Sequence, residues 1–333
     1  MAKKFTIAGL ELANRYVQAP LAGFSDVAMR IAAARYGAGL VYTEMISAAA
    51  LARHSEETLE MVRETKRDEC PVALQLFGSD AEELRTAIGI CEAEGRYAFL
   101  DFNLGCPVPK VMKQDAGSHL LTDLDKAYSL VKTMVETSHI PVVVKTRLGY
   151  SNPEDCVRVV QMLTAAGAAA IAMHGRTRNE FYTGLPHYDL LARARQACPV
   201  PFIANGNIDA DNALSIMETT GADAVMIGRN AIGNPLIFTD LLAVEDGLER
   251  PHKTVQIQAQ LLREQLALEY SRNVPAARVS VEFRAAAPAF FQGLPNARKI
   301  RGLLVRCSSQ EEYLEAVDRI VEVTRDAGEE TED

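Results

Sequence analysis

Residues 142–146 read Val-Val-Val-Lys-Thr, three β-branched apolar residues running into a lysine just after Pro141. A short apolar run of this kind, bounded by a turn signal, reads as a strand buried on both faces, as in a parallel sheet. A lysine closing it is costly to bury unless it meets an anion or an electron-rich ligand. Working outward, the same construction recurs at Tyr16–Ala19, Leu40–Thr43, Val72–Leu76, Phe99–Asn103, Ile171–His174, Phe202–Asn205 and Ala224–Gly228. Helical patterns lie between these runs, and their start signals are legible. Ser79 with Glu82 reads as a capping box, Asn152-Pro153 as a cap followed by a first-turn proline, and Asp209 as the cap of the helix carrying Ala213, Ile216 and Met217. Gly167 and Gly221 stand where helices end.

Eight strands in βα alternation over about 240 residues predict an α/β fold, a (β/α)8 TIM barrel. A doubly wound sheet is the competitor, but no G-x-G-x-x-G follows the first strand. Polar residues close nearly every run, and in a barrel those ends meet at one mouth. The barrel is expected over residues 1–244, with a polar linker at 245–253. Helical spacing then takes over and predicts a small all-helical C-terminal domain over 254–325. An acidic, disordered tail is expected at 326–333.

Composition narrows the class. The chain has 333 residues, 48% hydrophobic and 24% charged, which excludes a disordered or collagenous protein. No apolar run approaches the roughly 18 residues of a membrane span, so no membrane association is expected. The six cysteines contain no C-x-x-C pair, which argues against a zinc site or a disulfide framework and for a reducing compartment. With no signal-peptide pattern in MAKKFTIAGLELANR, a cytoplasmic, metal-free monomer is the expectation. The net charge of −9 argues against a polyanionic partner until the charges are located. From Arg272 to Arg306 seven basic residues face one acid, Glu282, whereas ten acids crowd 311–333. The average conceals a basic segment.

The strand ends carry the chemistry. Asn103-Leu-Gly-Cys-Pro107 puts a thiol on a loop framed by glycine and proline, where it can serve as nucleophile or proton donor. Gln75, Lys145 and His174 end three further strands. Asn205-Gly206-Asn207 and Gly228-Arg229 end the last two, where barrels bind phosphate through backbone N–H groups. Together they indicate a phosphorylated cofactor across the mouth, and FMN fits, with Ala19, Pro20, Leu21 and Ala22 packing under a flat ring.

These residues resemble a known family. Asn103-Leu-Gly-Cys-Pro-Val-Pro-Lys-Val111 with Asp115-Ala-Gly-Ser118 is the most specific element. His174-Gly-Arg-Thr-Arg178, Asn205-Gly-Asn-Ile208, Ile227-Gly-Arg229, Ala19-Pro-Leu-Ala-Gly23 and Glu44-Met45 support it. Jointly, and over nearly the whole chain, they resemble the tRNA-dihydrouridine synthases. Asn207 stands where many members carry Asp. The resemblance implies a flavoenzyme in which NADPH (or NADH) reduces FMN and the flavin passes hydride to C6 of a tRNA uridine. It implies that Cys106 protonates C5, that Lys145, His174 and Gln75 contact the flavin, that Gly206, Gly228 and Arg229 hold its phosphate, and that Asn205 and Asn207 belong to the cofactor site. For the tRNA substrate it implies Asn103, Lys110, Arg147, Arg176 and Arg178 at the mouth, and Arg284, Arg298, Lys299 and Arg301 in the helical domain. The alternative is an FMN-dependent reductase of a free pyrimidine or related small molecule, which would have no need of the basic segment.

Overall fold

The computed structural model describes residues 3–294 and 297–329. Eleven strands are present among them: β1 (Phe5–Ile7), β2 (Leu10–Leu12), β3 (Tyr16–Gln18), β4 (Val41–Tyr42), β5 (Ile46–Ser47), β6 (Val72–Phe77), β7 (Phe99–Leu104), β8 (Val142–Arg147), β9 (Ile171–His174), β10 (Phe202–Asn205) and β11 (Ala224–Ile227). The eight runs read from the sequence are β3, β4 and β6 to β11, all paired in parallel in the order β3-β11-β10-β9-β8-β7-β6-β4. A Val17–Leu40 bridge, with the Gln18 N–H donating to Leu40, joins β3 to β4 and closes the barrel.

Register decides what faces inward. Side chains alternate along each strand, and the inward set is apolar at the N-terminal end: Ala73, Phe99, Val143, Ala172 and Ile203 share one cluster. Two residues further along, the same face carries Gln75, Asp101, Lys145, His174 and Asn205. The outward set, including Leu74, Val144, Met173 and Ala204, packs against the surrounding helices. The antiparallel hairpin β1–β2 had no signal in the sequence, because three-residue strands carry no measurable period. Its Phe5, Ile7 and Leu12 join the inward apolar cluster and plug the N-terminal end of the barrel.

Helix starts differ from expectation in two places. The helix Ala81–Glu94 is capped by Asp80, whose carboxylate accepts from the Glu82 and Glu83 N–H groups, both at 2.9 Å; Ser79 instead donates to the Gln114 carbonyl. A carboxylate also complements the positive helix end, which a hydroxyl does not. Asp209 accepts from Asp211 and Asn212 in the turn before the helix Ala213–Thr220, and Asn212 takes the cap position itself. Asn152 caps as expected, through a short turn before Cys156–Ala166, and Gly167 and Gly221 end their helices in the left-handed conformation.

The helix Leu236–Glu245 takes in Glu245, and the next helix starts at Val255 behind the Thr254 cap, so the irregular connection is 246–254. Helices Val255–Tyr270, Ala276–Phe283, Ala297–Leu304 and Gln310–Glu329 enclose a separate apolar cluster around Leu262, Phe283, Phe290 and Tyr313. The last helix continues to Glu329, so 326–329 of the expected disordered tail are helical, and 330–333 lie outside the described residues.

Arg272 ties this bundle to the barrel. Its buried guanidinium reaches Asp26 at 2.7 Å, Glu269 at 3.0 Å, Glu282 at 3.4 Å and Glu64 at 3.5 Å. Tyr36 donates to Glu264 across the same junction.

Candidate active site

Fifteen of the residues singled out in the sequence line one cavity of about 530 Å³ at the C-terminal mouth of the barrel: Ala19, Pro20, Leu21, Ala22, Gln75, Asn103, Cys106, Lys145, Arg147, His174, Asn205, Gly206, Asn207, Gly228 and Arg229. Its size suits a cofactor-like ligand. Among the described residues, no carboxylate lines it.

The Cys106 loop is held from three sides. Asn103 Oδ1 accepts the Gly105 and Cys106 N–H groups at 3.1 and 2.9 Å, Arg147 Nε donates to the Gly105 carbonyl at 2.8 Å, and Ser118 donates to the Cys106 carbonyl through N–H and Oγ. Gly117 at φ +62° makes the last contact possible, since a Cβ there would lie 2.9 Å from the Cys106 oxygen. That is the physical content of Asp115-Ala-Gly-Ser118. Burial pushes the Cys106 thiol above its ordinary range, against the Val108 N–H, Arg147 and Lys145, which pull it down. The thiol stays protonated at neutral pH.

Across the cavity, burial and the Arg147 guanidinium bring the Lys145 amine down to about 8. Burial, with Arg147, Lys145, Arg176 and Arg229 around it, holds His174 well below the usual imidazole range, so the ring is neutral. Its Nδ1 is buried without a partner. At the β10–β11 corner Gly206 has φ +127° and the Cβ position of Gly228 is open, so backbone N–H groups there can approach a phosphate beside Arg229. An orphaned ring nitrogen, a lysine without a carboxylate in the cavity and an open glycine corner fit a flat, phosphorylated, electron-rich group such as a flavin mononucleotide.

The family profile described as dihydrouridine synthase (Dus) matches residues 17–327. The chain belongs to the dihydrouridine synthase family. It is 33% identical to the probable tRNA-dihydrouridine synthase 1 of Synechocystis sp. over 97% of this chain and 91% of that protein. It is 36% identical to tRNA-dihydrouridine synthase B of Vibrio vulnificus over 75% and 78%. Among solved structures, morphinone reductase in complex with tetrahydroNAD aligns over 75% of this chain and 92% of its own with a TM-score of 0.54 and 17% identity, and a mutant of it over the same shares with 0.55 and 16%, a likeness of fold.

Within this dihydrouridine synthase, the structure shows what each substrate candidate already contacts. Arg176 is 1% exposed, and its guanidinium donates to the Thr183 and Gly184 carbonyls and to Asn207 Oδ1, so it frames the 177–186 loop. Arg147 lines the cavity, but it is buried and donates to Gly105, Thr177 and Phe181 carbonyls. Asn103 spends its amide on Gln75 and the Cys106 loop. Arg284 donates to the Cys307 carbonyl. Lys110 is exposed on the one-turn helix Pro109–Met112, and Arg178 lies half-buried over the Tyr150 ring. Of the basic segment, Arg272 and Arg278 are held by acids, whereas Arg298, Lys299, Arg301 and Arg306 are exposed, with no ion pair among the described residues.

Tyr182 was not legible in the sequence. It lines the cavity with its ring 4.8 Å from the Arg229 guanidinium, 5.3 Å from that of Arg147 and edge-on to His174. A single aromatic on an aperiodic loop gives no signal until the loop is folded over the mouth. Gln292 is a second such residue, brought to the cavity by the helical bundle.

Proposed function

We propose that the mouth cavity holds FMN, with NADPH as the favoured reductant, and that Cys106 is the proton donor in reduction of a tRNA uridine. As a family member the protein is a flavin oxidoreductase of tRNA uridine; the nicotinamide reductant belongs to the proposal. The observation that carries the finer reading is the Cys106 loop, pinned by Asn103, Arg147 and Ser118, in one cavity with Lys145 and His174.

Gly206, Gly228 and Arg229 would hold the FMN phosphate, Lys145 and His174 the polar edge of the ring, and Ala19 to Ala22 its underside. When bound, the flavin supplies the hydride for C6 of the base. The chain supplies the rest. Cys106 Sγ holds one proton and gives it to C5, and the thiolate left behind is stabilised by Lys145, Arg147 and the Val108 N–H. The uridine must leave the tRNA stack to lie in the cavity, which requires backbone contacts beside the mouth. Arg298, Lys299 and Arg301 on the outer face of Ala297–Leu304 are the cations available for that, because Ile300 and Leu304 turn the opposite face into the bundle. A monomer working in the cytoplasm belongs to the same proposal.

The test is purified protein with NADPH and tRNA lacking dihydrouridine. A flavin absorption band, release of FMN on denaturation and formation of dihydrouridine are expected. A colourless protein that takes up no FMN, or one that reduces free uridine and not tRNA, overturns the reading.

A further inference from the structure

A hydrogen-bond chain runs from the middle of the barrel to the Cys106 loop. Gln75 and Asp101 are cross-strand neighbours on β6 and β7, and Asn103 lies two residues beyond Asp101 on the same inward face. Asn103 Oδ1 accepts from Cys106 N–H at 2.9 Å, Asn103 Nδ2 donates to Gln75 Oε1 at 2.8 Å, and Gln75 Nε2 donates to Asp101 Oδ2 at 2.5 Å. All three side chains are buried, Asp101 fully.

The direction of every link follows from one end. A backbone N–H can only donate, so Asn103 must turn its oxygen to the Gly105 and Cys106 amides and its NH2 to Gln75. Gln75 must then turn its oxygen to Asn103 and its NH2 downward. The buried end must be an acceptor. Asp101 meets that need with one oxygen, while Oδ1 has no hydrogen-bond partner. Burial pushes the Asp101 carboxyl up to about 8, against Gln75 and Lys145, which pull it down. A carboxyl group buried at such cost beside a lysine-bearing strand has a structural use here beyond charge balance.

Resting on the function proposed above, we infer that Asp101 is a positioning residue: through Gln75 and Asn103 it fixes the loop that aims the Cys106 thiol, and it also fixes which face of the Gln75 amide the cavity presents. The chain is a polarity device, and polarity can be reversed. Asn103→Asp still accepts from the Cys106 N–H but cannot donate to Gln75. The Gln75 amide then turns over and presents its oxygen to Asp101, which above about pH 8 is a carboxylate with no proton to give, so both readouts are taken at pH 9. Adding Asp101→Asn supplies a donor at the buried end and makes every link complementary again, with all directions below the loop inverted.

The experiment compares Asn103→Asp, Asp101→Asn and the double substitution in the full-length protein. Two readouts are taken: dihydrouridine formation on tRNA, and the rate of Cys106 alkylation by iodoacetamide without tRNA or reductant, followed by peptide mass spectrometry. Leaving one buried link unmade predicts about tenfold slower turnover for Asn103→Asp and alkylation changed severalfold. Asp101→Asn alone stays within about threefold, since its amide oxygen can still accept. The double substitution returns Cys106 alkylation to within about threefold of the parent, whatever the new carboxylate in the cavity does to turnover. Alkylation changes that multiply in the double substitution, or Cys106 reactivity unchanged by Asn103→Asp, overturn the inference. If Asn103→Asp does not fold, Asp101→Leu against Asp101→Asn decides: alkylation altered only by leucine supports the acceptor role, and equal behaviour ends it. Alkylation needs no turnover, so an inactive parent would refute the proposed reaction and leave this test standing.

Discussion

Two concave regions meet near Phe24 and are electrostatic opposites. The mouth cavity has Lys145, Arg147 and Arg229 in its wall and no carboxylate. The larger cleft between barrel and helical bundle, about 740 Å³, is lined by eight carboxylates and three arginines. Burial acts on both with opposite sign. In the cleft it raises Glu44, Glu64 and Glu269, because the charged form of an acid is what desolvation penalises; in the cavity it lowers Lys145 and His174 for the same reason. The cleft answers its charge internally, chiefly through Arg272. In the cavity Arg147 is spent on backbone carbonyls, whereas Lys145 and Arg229 have no salt bridge among the described residues. A net charge of −9 is therefore no guide to whether a polyanion binds.

The largest effect that would break this contrast is expected in the cleft. Arg272→Met strips the shared partner from Asp26, Glu64, Glu269 and Glu282, and breaking a buried ion-pair network of this kind costs about 3–5 kcal/mol. Urea unfolding should show it; a loss under about 1 kcal/mol would mean the cleft acids are relieved elsewhere. In the cavity, Cys106→Ala should slow dihydrouridine formation by about a hundredfold or more while the flavin absorption band persists. Turnover as fast as the parent would remove the thiol from the reaction.

Lys145→Met sharpens the comparison from the cationic side. Loss of a charge-assisted contact predicts about tenfold weaker flavin binding, measured by quenching of flavin fluorescence. The Lys145 amine is charged below about 8, so binding to the flavin-free parent should weaken as pH rises through that value, and the Met variant should lose this dependence. A pH dependence retained in the variant would assign it to another group. The smallest effect is expected at the surface. Replacing Arg298, Lys299 and Arg301 together by Ala should weaken tRNA binding severalfold and flatten its salt dependence by about two to three units of slope. An unchanged slope would return that helix face to solvent.

The barrel strands were legible because each is a run of β-branched and apolar residues ending in a polar one, and that pattern needs no partner to be seen. β6, β7 and β8 each run one residue further than expected, since Phe77, Leu104 and Arg147 still hold ladder register with a neighbouring strand. The cavity lining was legible for the same reason: period-two alternation places Gln75, Lys145 and His174 on the face that also carries Ala73, Val143 and Ala172. The β1–β2 plug, Tyr182 and Gln292 were not, because each reaches its place through contacts with elements distant in the chain.

Charge shows the division most plainly. The sequence by itself determined that residues 272–306 are basic, that the strand ends are polar and that the thiol sits on a glycine- and proline-framed loop. Only the tertiary structure decided which of those charges remain available. Arg272 finds Asp26 from 246 residues away and Arg278 finds Glu57 from 221, while Arg176 disappears beneath its own loop. A side chain's identity sets what it can bind. Whether it is already bound depends on what the fold brings within a few ångströms of it, and a charge paired inside the protein has little left to offer a ligand.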